Sequence, residues 1–170
     1  MNKKSIALMV IGGGCFLVFA FLVLAGLGMV FLGGTPSDWS SDETRIEDVY
    51  VELDDVIHTK VGDDFILEVN ITNTGPETRN LDSIDIESVY LEGVVVNKTQ
   101  PANGGFEHIV AVAQDFSTYT FQRDLAPSST QTIEFYMTAT KAGIYTGYID
   151  VCIDSANECN WYEASIIVEE

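Results

Sequence analysis

The stretch "GIYTGYIDVCIDSANECNWYEASIIVEE", residues 143–170, decides the fold of this chain. Apolar and polar residues alternate on both sides of a turn-forming segment, which is typical of two β-strands with one buried face. If Cys152 lies opposite Cys159, residues 154–157 form a short hairpin turn. A shift of one residue would separate the sulfur atoms and misalign the apolar faces, so the sequence predicts a single register. That register puts these apolar residues on one face: Tyr145, Ile149, Val151, Tyr162, Ala164, Ile166 and Val168.

The two cysteines of this hairpin predict a disulfide. Directly opposed residues in antiparallel strands have Cβ atoms within reach of an S–S bond. A thioredoxin-like pair would need C-x-x-C, and a zinc site would need two further ligands, whereas His58 and His108 stand apart in the sequence. We therefore interpret Cys152 and Cys159 as a structural disulfide, which indicates an oxidising compartment outside the cytoplasm.

The same alternation recurs through the second part of the chain. It is clearest in "DFILEVNIT" at 64–72 and "TIEFYMTA" at 132–139, and turn-rich pieces such as "NTGPETRN" separate the candidate strands. Short strands at this spacing predict an all-β fold, an Ig-like antiparallel β-sandwich of about seven to nine strands over residues 47–170.

The N-terminal part has a different character. Residues 5–34 carry no charge. This uncharged, largely apolar run is long enough to cross a bilayer as a single transmembrane α-helix. A cleaved signal peptide would have a shorter apolar region and a small-x-small site. Lys3 and Lys4 precede the apolar run, so we expect residues 1–4 in the cytoplasm and the chain after residue 34 outside the cell. Residues 35–46 are polar and predict a short tether.

The charge distribution limits the partners. Formal net charge is −18, and the part from Thr35 onward carries six basic and 26 acidic residues, or −20 (6 − 26). We therefore expect no nucleic-acid partner, because phosphate contacts require basic patches. Such a surface is usually a solvated, self-repelling one, although divalent-cation binding or life in high salt would suit it as well.

Catalytic patterns give no support for an enzyme, because the sequence has no G-x-S-x-G elbow and no positioned histidine. We expect no cofactor, with calcium as the chemical alternative, since hard cations bind oxygen ligands. The candidate calcium ligands are Asp82, Asp85, Glu87, Asp150, Asp154 and Glu158. Asn70 and Asn97 each begin an N-x-[ST] sequon and are candidate glycosylation sites.

Two longer stretches carry a family resemblance. "KVGDDFILEVNITNTGPETRNLDSIDI" at 60–86 and "LAPSSTQTIEFYMTATKAGIYTGYIDV" at 125–151 resemble the CARDB-like Ig-like modules of archaeal and bacterial surfaces. The resemblance covers residues 47–170 and implies a seven-stranded sandwich that serves as a spacer or contact module without catalytic residues. The layout of one anchor and one sandwich is also similar to stator subunits of the archaeal motility filament.

These observations predict a non-enzymatic, single-pass membrane protein that displays an Ig-like domain for contact with another envelope protein. A filament or stator component that self-associates through residues 5–34 is the first alternative. A calcium-dependent ligand-binding domain is the second.

Overall fold

The structure is a computed structural model that describes residues 46–110 and 114–170. Within these residues the chain forms ten β-strands and no helix. The strands are β1 (Val49–Leu53), β2 (Val56–Lys60), β3 (Asp64–Asn73), β4 (Arg79–Glu87), β5 (Val94–Gln100), β6 (Gly105–Val110), β7 (Asp115–Leu125), β8 (Ser129–Ala139), β9 (Gly143–Ile153) and β10 (Cys159–Glu169).

The strands form two sheets that pack face to face. One sheet has four strands in the order β1-β3-β8-β5, and the other has six in the order β2-β10-β9-β4-β7-β6. Apolar residues of both sheets form one buried cluster between them. Aromatic rings meet there across the layers, with the centroid of Tyr119 on β7 lying 5.1 Å from that of Phe135 on β8. The predicted all-β sandwich architecture is therefore present.

The strand count and one pairing differ from the prediction. The described residues hold ten strands rather than about seven to nine, because β2 and β5 were not predicted. In β5 the alternation is interrupted by a register shift between Val96 and Lys98. β2 is a short edge strand that pairs in parallel with β10, so the sandwich is not wholly antiparallel.

The hairpin of β9 and β10 has the predicted register. Cys152 pairs with Cys159, Ile149 with Tyr162, and Tyr145 with Ile166. Cys152 and Cys159 are joined by a disulfide with an S–S length of 2.05 Å. The apolar face of the hairpin lies in the core as expected, and Tyr162 packs against it partly buried.

Tyr145 fixes the turn between β8 and β9 against the segment that precedes β5. A Cβ atom on Gly93 would lie 2.0 Å from Cε2 of Tyr145, so the ring occupies space that only a glycine leaves free. The Tyr145 hydroxyl lies 3.1 Å from the carbonyl oxygen of Lys141 and donates a hydrogen bond to it. The carbonyl oxygen of Gly93 in turn accepts from the Thr140 amide at 2.8 Å. This contact couples two loops at one end of the sandwich.

The predicted cytoplasmic residues 1–4, the predicted span 5–34 and nearly all of the predicted tether 35–46 lie outside the described residues. Ile46, the last tether residue, is buried, and its amide donates to Oδ1 of Asn160 at 3.0 Å. Within residues 46–110 and 114–170, no helix is long and apolar enough to cross a membrane.

Candidate functional site

The outer face of the six-stranded sheet carries an unusual set of side chains. Opposed residues of adjacent strands point to the same side of a sheet, so the register defines rows across β7, β4, β9 and β10. One row reads Thr118, Asp85, Asp150 and Trp161; the row beside it holds Ser83, Cys152 and Cys159; and the row on the other side holds Glu87, Tyr148 and Glu163. We call Asp85, Glu87, Tyr148, Asp150 and Trp161 the acidic face.

Asp150 is the most buried acid of this face. It is 8% exposed, and its Oδ1 has no hydrogen-bond partner among the described residues. Burial, reinforced by the nearby charges of Asp85 and Glu87, raises the pKa of Asp150 to about 7. Burying an ionised carboxylate without a partner is costly, so this carboxyl group keeps its proton at pH values where an ordinary aspartate has already lost it.

Asp85 lies directly opposite Asp150 on β4. Its pKa is also raised by burial, an effect opposed by the hydroxyls of Thr118 and Ser83 and reinforced by Asp82. Oδ2 of Asp85 lies 3.7 Å from Sγ of Cys152, which is a packing contact because a disulfide sulfur has no proton to donate. The disulfide therefore forms one wall beside the two opposed carboxyl groups.

Two aromatic side chains border the carboxyl groups. Trp161 pairs with Asp150 across the hairpin and is 58% exposed, and Tyr148 is 37% exposed. Their ring centroids lie 6.4 Å apart with planes inclined by 55°. The solvent side of an antiparallel sheet is usually polar, so exposed rings next to buried acids are an exception to the common pattern.

Glu87 completes the face from β4. Its Oε2 accepts a hydrogen bond of 3.0 Å from the Tyr148 amide, so the carboxylate reaches toward β9. The ion pairs of the described residues are those of Arg79 with Asp154 at 2.6 Å and with Asp48 at 3.9 Å. No positively charged side chain among the described residues therefore forms an ion pair with the acidic face.

The structure divides the six candidate calcium ligands. Asp85, Glu87 and Asp150 share the acidic face, whereas the other three lie elsewhere. Asp82 is hydrogen-bonded to Gln122, Asp154 accepts from the amide of Asn80 at 2.7 Å, and Glu158 is exposed in the hairpin turn.

Among the described residues, Asp85, Cys152 and Cys159 place possible metal-ligand atoms close together. Both of those sulfur atoms are used in the disulfide. Calcium binding therefore stays a prediction, with three candidate ligands brought together and three placed elsewhere.

The two sequons lie on the outer face of the four-stranded sheet. The Asn70 side chain is half-buried; its Nδ2 donates to Glu68 at 2.8 Å, and its Oδ1 accepts from Thr132 at 2.6 Å. Asn97 is exposed at the register shift of β5, and its Nδ2 donates to Thr138 at 2.8 Å. Glycosylation of either asparagine stays a prediction.

Sequence reasoning did not assign Ser83 or Thr118 to the site. Each is a hydroxyl residue in a strand with nothing in the local sequence to distinguish it. Thr118 lies opposite Asp85 because β7 pairs with β4, a non-local arrangement that alternation within one strand does not reveal, and Ser83 lies two residues before Asp85 on the same side of β4. The clustering of Tyr148 and Trp161 near the disulfide, by contrast, follows from the hairpin alone.

Comparison with known proteins gives limited similarities. No family model matches the chain. The hemocyte protein-glutamine gamma-glutamyltransferase of Tachypleus tridentatus is 38% identical over 61 residues, which is 35% of this chain and 8% of that protein's length.

Several solved structures share part of the fold at low identity. A non-cellulosomal cohesin from the archaeon Archaeoglobus fulgidus has 10% identity and a TM-score of 0.40, covering 72% of this chain and 92% of that one. AvmM, which catalyses macrocyclization in alchivemycin A biosynthesis, has 11% identity and a TM-score of 0.46, covering 72% and 89%. A family 123 glycoside hydrolase from Clostridium perfringens has 9% identity and a TM-score of 0.42, covering 71% and 27%. We draw no functional conclusion from similarities at this level.

Proposed function

We propose that this chain is a non-enzymatic contact module: an Ig-like β-sandwich that a single N-terminal membrane helix, residues 5–34, displays outside the cell. It binds another envelope protein through the outer face of the six-stranded sheet. The N-terminus is cytoplasmic in this proposal, and residues 35–45 connect the helix to the sandwich.

The strand order supports an Ig-like topology. In an Ig-like domain one sheet has the order A-B-E-D and the other the order G-F-C. The orders β1-β3-β8-β5 and β10-β9-β4 follow that sequence of strands. The hairpin of β6 and β7 extends the second sheet beyond β4, and β2 adds a strand beside β10.

The observation that carries the proposal is a pair of exposed aromatic rings beside two opposed carboxyl groups on the outer face of the six-stranded sheet. Trp161 is 58% exposed and its ring centroid lies 6.4 Å from that of Tyr148, and Ile144, which is 72% exposed, lies on the same face four residues before Tyr148. Single exposed apolar residues are common, but grouped aromatic and aliphatic side chains mark contact surfaces. A disulfide next to this group supports display in an oxidising environment.

Site-specific photo-crosslinking in intact membranes tests this proposal. A photoreactive phenylalanine analogue in place of Ile144 is expected to capture a protein partner. The same analogue in place of Val95, which is 51% exposed on the four-stranded sheet, serves as the matched control and is expected to capture none. Absence of a crosslinked product at position 144, or equal products at both positions, would contradict the proposal. A product with the mass of two copies of this chain would favour the self-associating alternative.

A further inference from the structure

The acidic face has an unbalanced charge. Three carboxyl groups, those of Asp85, Glu87 and Asp150, meet on it without a described cation. Asp150 is more than nine-tenths buried, and its Oδ1 has no hydrogen-bond partner among the described residues. Buried acids in proteins are normally paired with a cation or hydrogen-bonded. A binding partner can therefore supply the positive charge that the described residues do not provide.

The aromatic rings add a second, independent feature at the same place. Trp161 faces Asp150 across the hairpin, and Tyr148 lies two residues from Asp150 on the same side of β9. Both rings are accessible, and their centroids are 6.4 Å apart. The face of an aromatic ring attracts cations, most often the guanidinium of arginine. Rings and carboxyl groups thus offer complementary contacts to one cationic group.

We propose that the acidic face binds an arginine side chain of the partner protein, with its guanidinium over the carboxyl groups of Asp85, Glu87 and Asp150 and its plane against the exposed ring of Trp161. This inference rests on the proposed contact function and names the chemistry of the partner. A guanidinium donates to two acceptors in one plane and stacks on aromatic rings, which an ammonium does less well. Calcium fits less well, because it requires six to eight oxygen ligands and this face presents rings and disulfide sulfurs beside its carboxylates.

Trp161 is itself a suitable reporter. The chain has two tryptophans, so Trp39→Phe leaves Trp161 as the single one. The full chain carrying this substitution, in a mild nonionic detergent, is titrated with N-acetyl-arginine amide at constant ionic strength. We expect a saturable change in Trp161 fluorescence. The neutral isostere N-acetyl-citrulline amide is expected to give none, and N-acetyl-lysine amide a weaker response.

Two variants make the test specific. Asp150→Asn keeps the size of the side chain and removes its charge, and we expect at least a tenfold loss of affinity for the arginine probe. Asp124→Asn removes an exposed acid near the C-terminal end of β7. This variant is expected to bind the arginine probe as tightly as the parent protein does. A melting curve of each variant establishes that it is folded, and Asp85→Asn replaces Asp150→Asn if the latter is not.

Equal responses to arginine and citrulline, or unchanged binding in Asp150→Asn, would overturn the proposal. A response to calcium but not to the arginine probe would overturn it as well and favour the calcium alternative. Crosslinking at Ile144 reports contact with a partner whatever its chemistry. A crosslinked partner without an arginine response would therefore refute this inference and leave the proposed function standing.

Discussion

At the scale of single residues, Asp150 combines a cost to stability with a role in the acidic face. Its pKa is about 7 in the folded protein, against an ordinary value of 3.8. Between these two values the folded chain retains a proton that the unfolded chain has released. The free energy of unfolding contributed by this group therefore falls as the pH rises through that window.

Asp150→Asn is accordingly expected to stabilise the protein at high pH, because asparagine avoids ionisation in a buried position. We expect a gain of about 2 kcal/mol at about pH 8 and a difference close to zero near about pH 2, where aspartate is protonated in both states. Chemical denaturation at a series of pH values measures this difference. Asp124→Asn, at an exposed position on β7, serves as the control, and a destabilised Asp150→Asn variant at high pH would contradict the expectation.

Gly93 is a residue at which a single methyl group should matter. Gly93→Ala is expected to lower the free energy of unfolding by about 1–3 kcal/mol, because the new Cβ would overlap the ring of Tyr145. Gly104→Ala is the matched control, since the nearest atom to its added Cβ would be the Thr120 carbonyl oxygen at 3.8 Å. Thermal melting of the two variants gives the comparison, and equal melting temperatures would show that the Tyr145 contact is not constraining.

At the scale of elements, the hairpin of β9 and β10 is closed by the disulfide. Replacing both cysteines, Cys152→Ala with Cys159→Ala, is expected to cost about 2 kcal/mol, because the unfolded chain regains the entropy of an open loop. Denaturant titration of this double variant measures the loss. The parent protein in a thiol reductant should approach the same midpoint, whereas an unchanged midpoint in both cases would mean that strand pairing alone determines the stability of the hairpin.

This hairpin also shows what sequence alone can predict. Its strands are adjacent in the chain, so the cysteine pair and the two apolar faces define one register without further information. The pairing of Asp85 with Asp150 joins strands far apart in the chain, and nothing local specifies that β4 lies beside β9. The hairpin therefore predicts that Asp150, Tyr148 and Trp161 lie together, whereas Asp85 and Glu87 appear in the sequence only as scattered candidate acids. β5 was missed because its register shift at Asn97 breaks the two-residue period.

At the scale of the whole molecule, the net charge of −18 opposes the compact state. Raising NaCl from about 0.01 M to about 1 M shortens the screening length from about 30 Å to about 3 Å. We therefore expect the melting temperature to rise by several degrees over this range. Melting curves in CaCl2 and MgCl2 at equal ionic strength should coincide if screening is the cause. A rise with calcium alone would instead support the calcium-dependent alternative.

The parallel edge pairing has a mechanical consequence. Val56 of β2 lies opposite Ser165 of β10, and Lys60 lies opposite Glu169. A pulling force applied to the chain ahead of β2 and to the residues after β10 drags these strands in opposite directions along their own axes. All the hydrogen bonds between them then resist the force together, whereas an antiparallel pair pulled from its open end separates one bond at a time. Since forced unfolding is governed by the rate of crossing that barrier, β2 equips the domain to bear tension between its two ends.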